Sequence, residues 1–154
     1  IKVIDKAFAI SRVSKLKRWW ISFSQVDILD SKLMSHEILD DDVIFYSPVV
    51  FTPQKGKEIT KLYLSAASGV FGDSKNKNES SNKKSKFKYI KEIVNGNQAC
   101  LEFETEMNGK YVNGIDLITW NEDNKITEFK VLVRPLQAVN ILHQSMGEML
   151  EKLK

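Results

Sequence analysis

Turn signals divide residues 87–134 into four segments with strand character, and this succession constrains the fold more than any other feature. The four segments read FKYIKEIV, QACLEFETEM, YVNGIDLITW and KITEFKVLVRP. The breaks between them are residues 95–97 (NGN), 108–109 (NG) and 121–124 (NEDN). Asn-Gly pairs are typical of the tight turns that join neighbouring antiparallel strands. The sequence therefore predicts a four-stranded antiparallel meander.

Apolar residues at three- and four-residue spacing predict helices on both sides of this meander. The expected helices cover about residues 7–23, a short segment at 32–39, residues 57–71 after Gly56 and a last helix from 136 after Pro135. The aspartates at 40–42 are expected to stop the second helix, and VIFYSPVVF at 43–51 predicts a strand that ends at Pro48. Helices first and strands later indicate an α+β fold.

Composition narrows the functional classes. A chain of 154 residues with 42% hydrophobic content predicts one domain, 1–154, with a flexible Lys/Asn/Ser-rich insert at about 73–86. A net charge of +3 does not indicate a nucleic-acid-binding protein. With a single cysteine, Cys100, and two distant histidines, neither a metal nor another cofactor is expected. No apolar run suggests a membrane span or an export signal, so we expect a cytoplasmic protein, although a start at Ile1 leaves room for an upstream segment.

Side-chain alternation along two of the strands predicts which face is buried. In QACLEFETEM the glutamates at 102, 104 and 106 share one face, so the opposite face is expected to point into the core. In KITEFKVLVRP the same test predicts that the odd-numbered residues point into the core. The predicted core residues are Leu101, Phe103, Thr105 and Met107 on the first strand and Thr127, Phe129, Val131 and Val133 on the second.

The stretch NGIDLITW does not sort in this way. Ile115 and Leu117 lie on one side, while Asp116, Ile118 and Trp120 lie on the other, so both sides are apolar. Such a sheet suggests helices on one face and a second subunit on the other, and a homodimer is expected. Aspartate is rare in strands and costly to bury unpaired. Alternation alone leaves open whether Asp116 is a pocket carboxyl or an interface residue.

Several strings in this order resemble the nuclear transport factor 2-like superfamily, specifically its SnoaL-like branch. They are LDDDVIFYSPV, the Gly56 that opens a helix, GIDLITWNEDNKITEFKVLVRP and a closing helix ending in HQSMGEML. The resemblance covers about residues 23–152. It implies a cone in which a strongly curved, mostly antiparallel sheet wraps around N-terminal helices, with a C-terminal helix and an open end that often holds a small apolar molecule. Ketosteroid isomerase has this fold, as do many members with no known activity.

Within this resemblance, IDLITW matches the strand that carries the oxyanion-hole aspartate of ketosteroid isomerase. That match puts Asp116 inside the cone as the candidate catalytic hydrogen-bond donor. The position of the isomerase's general base falls on Ser47, and that of its helix tyrosine falls on Phe23. Because a serine does not shuttle protons at neutral pH without a base beside it, steroid isomerisation is not expected.

Two functions remain open at this point. The first is the binding of a small hydrophobic ligand in the cone, with or without a weak isomerase, lyase or hydrolase activity at Asp116. The second is a non-catalytic module for dimerisation or protein interaction. An apolar cavity with Asp116 in its wall would favour the first, and a cone filled by side chains would favour the second. The expected pocket residues are Phe23, Ser47, Tyr63, Leu101, Phe103, Ile118, Trp120, Phe129, Val131 and Val133.

Overall fold

A computed structural model describes residues 14, 38–71 and 86–152 of the chain. Apart from Ser14, the predicted helix at 7–23 lies outside these ranges, together with Phe23. Most of the predicted helix at 32–39 and nearly all of the insert at 73–86 lie outside them as well.

Six strands and two helices follow one another in these ranges. They are β1 (Leu39–Tyr46), β2 (Gln54–Lys55), α1 (Lys57–Phe71), β3 (Lys88–Asn95), β4 (Gln98–Met107), β5 (Lys110–Trp120), β6 (Ile126–Arg134) and α2 (Leu136–Lys152). The strands form one sheet in the order β2-β1-β6-β5-β4-β3. Only the pairing of β1 with β6 is parallel; the other neighbours are antiparallel. The predicted meander and the predicted helices at 57–71 and from 136 are confirmed, and the open, curved sheet fits the predicted α+β cone.

Both helices pack on one face of the sheet, and the core lies between them and the meander. The predicted inward face of β4 is confirmed, because Leu101, Phe103, Thr105 and Met107 are all buried. The opposite face of β3 and β4 carries ion pairs between lysines and glutamates at the surface. The largest fully buried side chains are Phe103, Leu39, Leu64, Leu101, Ile126, Leu142, Val43 and Val112.

The strand predicted from residue 43 begins earlier, at Leu39, so the three aspartates expected to stop a helix belong to β1. Asp41 and Asp42 are exposed, and Asp40 accepts hydrogen bonds from the Asn121 side chain (2.8 Å) and from the Asp42 amide (3.0 Å). The pairing of β1 with β6 also shifts its register between Leu39 and Ile44. The aspartates therefore lie in an irregular part of the ladder, where polar residues are tolerated.

Two further register shifts bend the sheet. One separates Tyr89 and Lys91 in the pairing of β3 with β4, and the other separates Thr119 and Trp120 in the pairing of β5 with β6. A bulge of this kind adds one residue to a strand and turns the following side chains over. As a result Ile126, which alternation assigned to the outer face of β6, is only 2% exposed.

Candidate functional site

Strand β5 places Asp116 on the face of the sheet that the helices cover. Its neighbours in the ladder are Leu101 on β4 and Val131 on β6, and its exposed fraction is 3%. Leu117, on the opposite face, is 37% exposed. Of the two placements that alternation left open, the structure has Asp116 on the core side rather than on the outer face of the meander.

Asp116 lies in the wall of a small cavity between the sheet, the two helices and the loop after β1. The sheet contributes Phe45, Phe103, Asp116 and Val131, and the loop contributes Ser47, Pro48 and Val49. The helices contribute Leu64, Ala67, Phe71, Leu142 and Met146. The cavity volume is about 30 Å³, which is room for one or two water molecules.

Some of the predicted pocket residues meet at this cavity and others do not. Ser47, Phe103 and Val131 line it beside Asp116. Tyr63 does not line it, since its ring packs against Phe45 with the ring centres 5.6 Å apart. The remaining predicted residues with described positions pack in or against the core instead: Leu101, Ile118, Trp120, Phe129 and Val133.

Strand alternation could not identify the residues that the helices and the loop bring to the cavity. Which side of a helix faces a gap in the core depends on how that helix crosses the sheet, and a local apolar stripe does not encode the crossing. Met146 and Phe71 reach the cavity for this reason without any signal of their own in the sequence.

Polar groups are few among the described residues of the wall. Besides the Asp116 carboxyl, the only polar side chain there is the Ser47 hydroxyl, whose oxygen accepts a hydrogen bond from the Val49 amide at 3.2 Å. That bond holds the turn after β1. No titratable side chain other than Asp116 is present in the described wall.

Tyr89 on β3 is the functional candidate that sequence reasoning missed. Its hydroxyl donates a hydrogen bond to Oδ2 of Asp116 at 2.8 Å. The Tyr89 ring is held edge-on against Phe87, with 5.2 Å between the ring centres. The alternation of Phe87 and Tyr89 in FKY was a signal for an inward face, but the bulge after Tyr89 and the apolar residues on both sides of β3 obscured it.

The environment of the pair shifts both pKa values upward. Burial raises the pKa of Asp116 from 3.8 to about 7, and the hydrogen bond from Tyr89 opposes that rise. The pKa of Tyr89 lies well above 10, because burial and the neighbouring Asp116 charge both disfavour the phenolate. Tyr89 thus remains a hydrogen-bond donor near neutral pH, where Asp116 exists in both its neutral and its charged form.

Gly114 makes room for the cavity wall. A Cβ atom at this position would overlap the ring of Phe103 and would lie 2.7 Å from the carbonyl oxygen of Leu132. Without a side chain at 114, Phe103 lies across β5 close to Asp116. A glycine inside a strand often marks such a close approach, so NGID contained a signal for this contact.

Within the described ranges, neither helix combines the length and the apolar character needed to cross a membrane. These ranges also contain no group of three or more His, Cys, Asp or Glu side chains that could hold a metal ion.

A scan against protein-family models finds no match, and a search of curated proteins finds none either. Solved structures do match. A steroid delta-isomerase from Pseudomonas aeruginosa has a TM-score of 0.73 and 26% sequence identity over 92% of this chain and 93% of its own. An NTF2-like protein of unknown function from Cytophaga hutchinsonii has a TM-score of 0.53 and 17% identity, with 80% and 90% of the two chains covered.

A SnoaL-like family protein from Agrobacterium tumefaciens has a TM-score of 0.56 and 9% identity, and the alignment covers 82% of this chain and 99% of that protein. At identities this low the last two likenesses concern the fold alone. All three share the arrangement described above over most of the chain. The chain therefore has a fold similar to that of nuclear transport factor 2-like proteins, and a steroid delta-isomerase and a SnoaL-like family protein are among the solved structures that resemble it.

Proposed function

We propose that this protein binds a small neutral molecule in the cavity, and that Asp116 holds the molecule by a hydrogen bond. The observation that carries the proposal is a buried carboxyl in a wall whose only other polar side chain, among the described residues, is that of Ser47. The Tyr89 hydroxyl donates a hydrogen bond to one of the carboxyl oxygens, Oδ2, at 2.8 Å. Burial of a carboxyl among apolar side chains costs free energy, and a hydrogen bond to a bound polar group would offset part of that cost.

The charge state of Asp116 selects the chemical class of the ligand. At and below a pH of about 7 a large share of the carboxyl is neutral, because burial raises its pKa to about 7. The neutral acid donates a hydrogen bond to an acceptor such as a ketone oxygen. A carboxylate ligand would meet no cation in the described wall, so an anionic molecule is disfavoured.

The size of the cavity limits which molecules can enter it without a movement of the wall. About 30 Å³ is far below the roughly 300 Å³ or more of pockets that hold drug-sized ligands. Entry of anything larger than water therefore requires the wall to move. The Ser47-Pro48-Val49 turn and the flexible side chain of Met146 are the parts of the wall best able to do so.

Binding is proposed here without rapid proton transfer. An isomerase needs a base that removes a proton from the bound substrate, and the described wall offers only Ser47 beside Asp116. The likeness to a steroid delta-isomerase supports ligand binding or an isomerase-like role. It does not supply the missing base, so we propose a binding protein rather than an efficient isomerase.

A matched pair of small probes tests the proposal. Cyclohexanone and methylenecyclohexane have the same shape, but only the ketone accepts a hydrogen bond. Binding followed by NMR shifts of cavity methyl groups at about pH 6 should favour the ketone by about fivefold, which corresponds to one hydrogen bond of about 1 kcal/mol. Asp116→Asn should keep most of this preference, because an amide still donates. Asp116→Ala should abolish it.

Asp123→Asn is the matched control, since Asp123 is exposed in the turn between β5 and β6. It should bind both probes as the wild type does. Equal affinity of the wild type for the two probes, or an unchanged preference in Asp116→Ala, would contradict the proposed role of the carboxyl. Binding of neither probe would reject the cavity as a site for small neutral molecules.

A second role is favoured by the outer face of the meander. Ile93, Leu117 and Leu132 are 56%, 37% and 49% exposed on this face. Lysines of β3 and glutamates of β4 lie beside them, so positive charge follows one strand of this face and negative charge follows the next. A surface with both charges and exposed apolar side chains can match a second copy of itself across a two-fold axis. We propose that the protein forms a homodimer through this face.

A further inference from the structure

The hydrogen bond between Tyr89 and Asp116 spans three strands. Tyr89 pairs with Phe103 on β4, and Phe103 pairs with Gly114 on β5, two residues before Asp116. Because position 114 has no side chain, the Phe103 ring leans onto β5, and the Tyr89 side chain reaches past it to the carboxyl. The contact therefore depends on the sheet's curvature and on two particular neighbours, rather than on simple adjacency.

Tyr89 and the cavity approach Asp116 from different directions. Asp116 is part of the cavity wall, whereas Tyr89 is not among the described residues that line it. The hydroxyl group thus binds Oδ2 from outside the cavity at 2.8 Å. Edge-on packing against Phe87, with ring centres 5.2 Å apart, and against Phe103, at 6.5 Å, fixes the position of the phenol.

We propose that Tyr89 is the positioning residue of this site: by bonding Oδ2, it makes Oδ1 of Asp116 the oxygen that carries the proton in the neutral acid and that contacts the ligand once the cavity wall has opened. This inference rests on the proposed function for its last step only. The Tyr89 hydroxyl has a single proton, which it donates to Oδ2, so the acid proton of Asp116 is directed to Oδ1.

The consequence is a site whose ligand preference changes with pH. With Oδ1 protonated, the site donates to an acceptor such as a ketone. With Asp116 ionised, Oδ1 accepts instead, and a ligand acceptor would face a negative oxygen. The Tyr89 bond favours the ionised form and so limits the pH range over which the site takes up an acceptor.

No other charged group in the described part of the chain competes for this role. The residues that face the carboxyl from β6, α1, α2 and the loop after β1 are apolar apart from Ser47, and on β4 they are Leu101 and Phe103. On β3 the titratable neighbour is Tyr89 itself. Glu92 on β3 pairs with Leu101, which in turn pairs with Asp116, but Glu92 is exposed at the edge of the sheet.

The test is Tyr89→Phe, with Tyr111→Phe as the matched control. Tyr111 also donates to a carboxylate, that of Glu104 at 2.7 Å, but on the opposite face of the sheet. Two quantities are measured: the Asp116 midpoint from carbon-13 NMR of the carboxyl, and the pH at which cyclohexanone binding falls by half. Tyr89→Phe should raise both by about one unit or more, because a hydrogen bond to the charged form is lost. Tyr111→Phe should move neither.

A purely structural role for Tyr89 would lower cyclohexanone affinity equally at every pH, with no change in either midpoint, and that result would overturn the proposal. If Tyr89→Phe does not fold, the wild type decides: the Tyr89 ring carbon bonded to oxygen must show a step at the Asp116 midpoint, and its absence would also overturn the proposal. If the wild type binds no cyclohexanone, the proposed function fails. The carboxyl titration of wild type and Tyr89→Phe still decides whether the Tyr89 hydrogen bond sets the pKa of Asp116.

Discussion

Replacing Asp116 by asparagine should make the stability of this protein less sensitive to pH. Burial raises the pKa of the carboxyl from 3.8 to about 7. A shift of about three units corresponds to about 4 kcal/mol between the two protonation states. Since Asp116 is only 3% exposed, solvent screening does not reduce this figure substantially. The amide does not titrate, so the variant removes the whole effect.

The sign follows from proton binding. The folded carboxyl holds its proton up to about pH 7, whereas the unfolded carboxyl loses it near 3.8. Between these values the folded state binds more protons, so the free energy of unfolding falls as the pH rises. The stabilising contribution is complete below the unfolded pKa and is lost once the pH has passed the folded pKa. Between about pH 5 and about pH 8.5 the loss should be about 2–3 kcal/mol, because at pH 5 the unfolded carboxyl is already mostly ionised.

Urea unfolding of wild type, Asp116→Asn and the exposed control Asp123→Asn at these two pH values measures the effect. The difference in unfolding free energy between Asp116→Asn and wild type should change by about 2–3 kcal/mol in favour of the variant at the higher pH. The difference between Asp123→Asn and wild type should stay constant. Parallel pH dependence of Asp116→Asn and wild type would refute the argument that desolvation controls this carboxyl.

Three further predictions concern other parts of the chain. Gly114→Ala should destabilise the fold by about 1–3 kcal/mol through overpacking, while Gly147→Ala, which has open space around its Cβ position, should not; urea unfolding distinguishes them. Light scattering at micromolar concentration should show a dimer that Leu117→Lys combined with Leu132→Lys converts to a monomer, and a monomeric wild type would remove this proposal. Replacing residues 74–86 by a short turn should leave the melting temperature nearly unchanged, since their composition predicts no core contact; a large drop would show that they pack.

The meander could be predicted because its determinants are local. Gly96 and Gly109 have φ values of 58° and 74°, and Asn108 has a φ of 49°. These are conformations that glycine and asparagine adopt at low cost, so the turn residues themselves encode the breaks between strands. Once the breaks are known, alternation correctly assigns the buried face of β4, whereas β5, apolar on both sides, is not assigned by alternation alone. The same reasoning failed for residues 40–42, where a bulge and the distant Asn121 side chain accommodate three aspartates in a strand.

The candidate site could be predicted only in part, because it depends on contacts between distant segments. Asp116 was identifiable as a carboxyl in an apolar strand. Tyr89 was not, since its reach to Asp116 depends on the register of β3 and on the space above Gly114. The cavity-lining residues of α1 and α2 depend on helix placement in the same way. Local patterns thus identified the buried carboxyl but not the tyrosine that is hydrogen-bonded to it.

The energetics of Asp116 favour a functional interpretation over a structural one. An asparagine at this position would accept the same hydrogen bond from Tyr89 through its side-chain oxygen and would carry no ionisation cost. The carboxyl costs about 4 kcal/mol when it is charged, which is a large share of the roughly 5–15 kcal/mol that holds a domain of this kind together. What the carboxyl adds is the ability to gain or lose a proton near neutral pH inside an apolar cavity. That ability contributes nothing to packing, and a ligand that senses the proton is the simplest use for it.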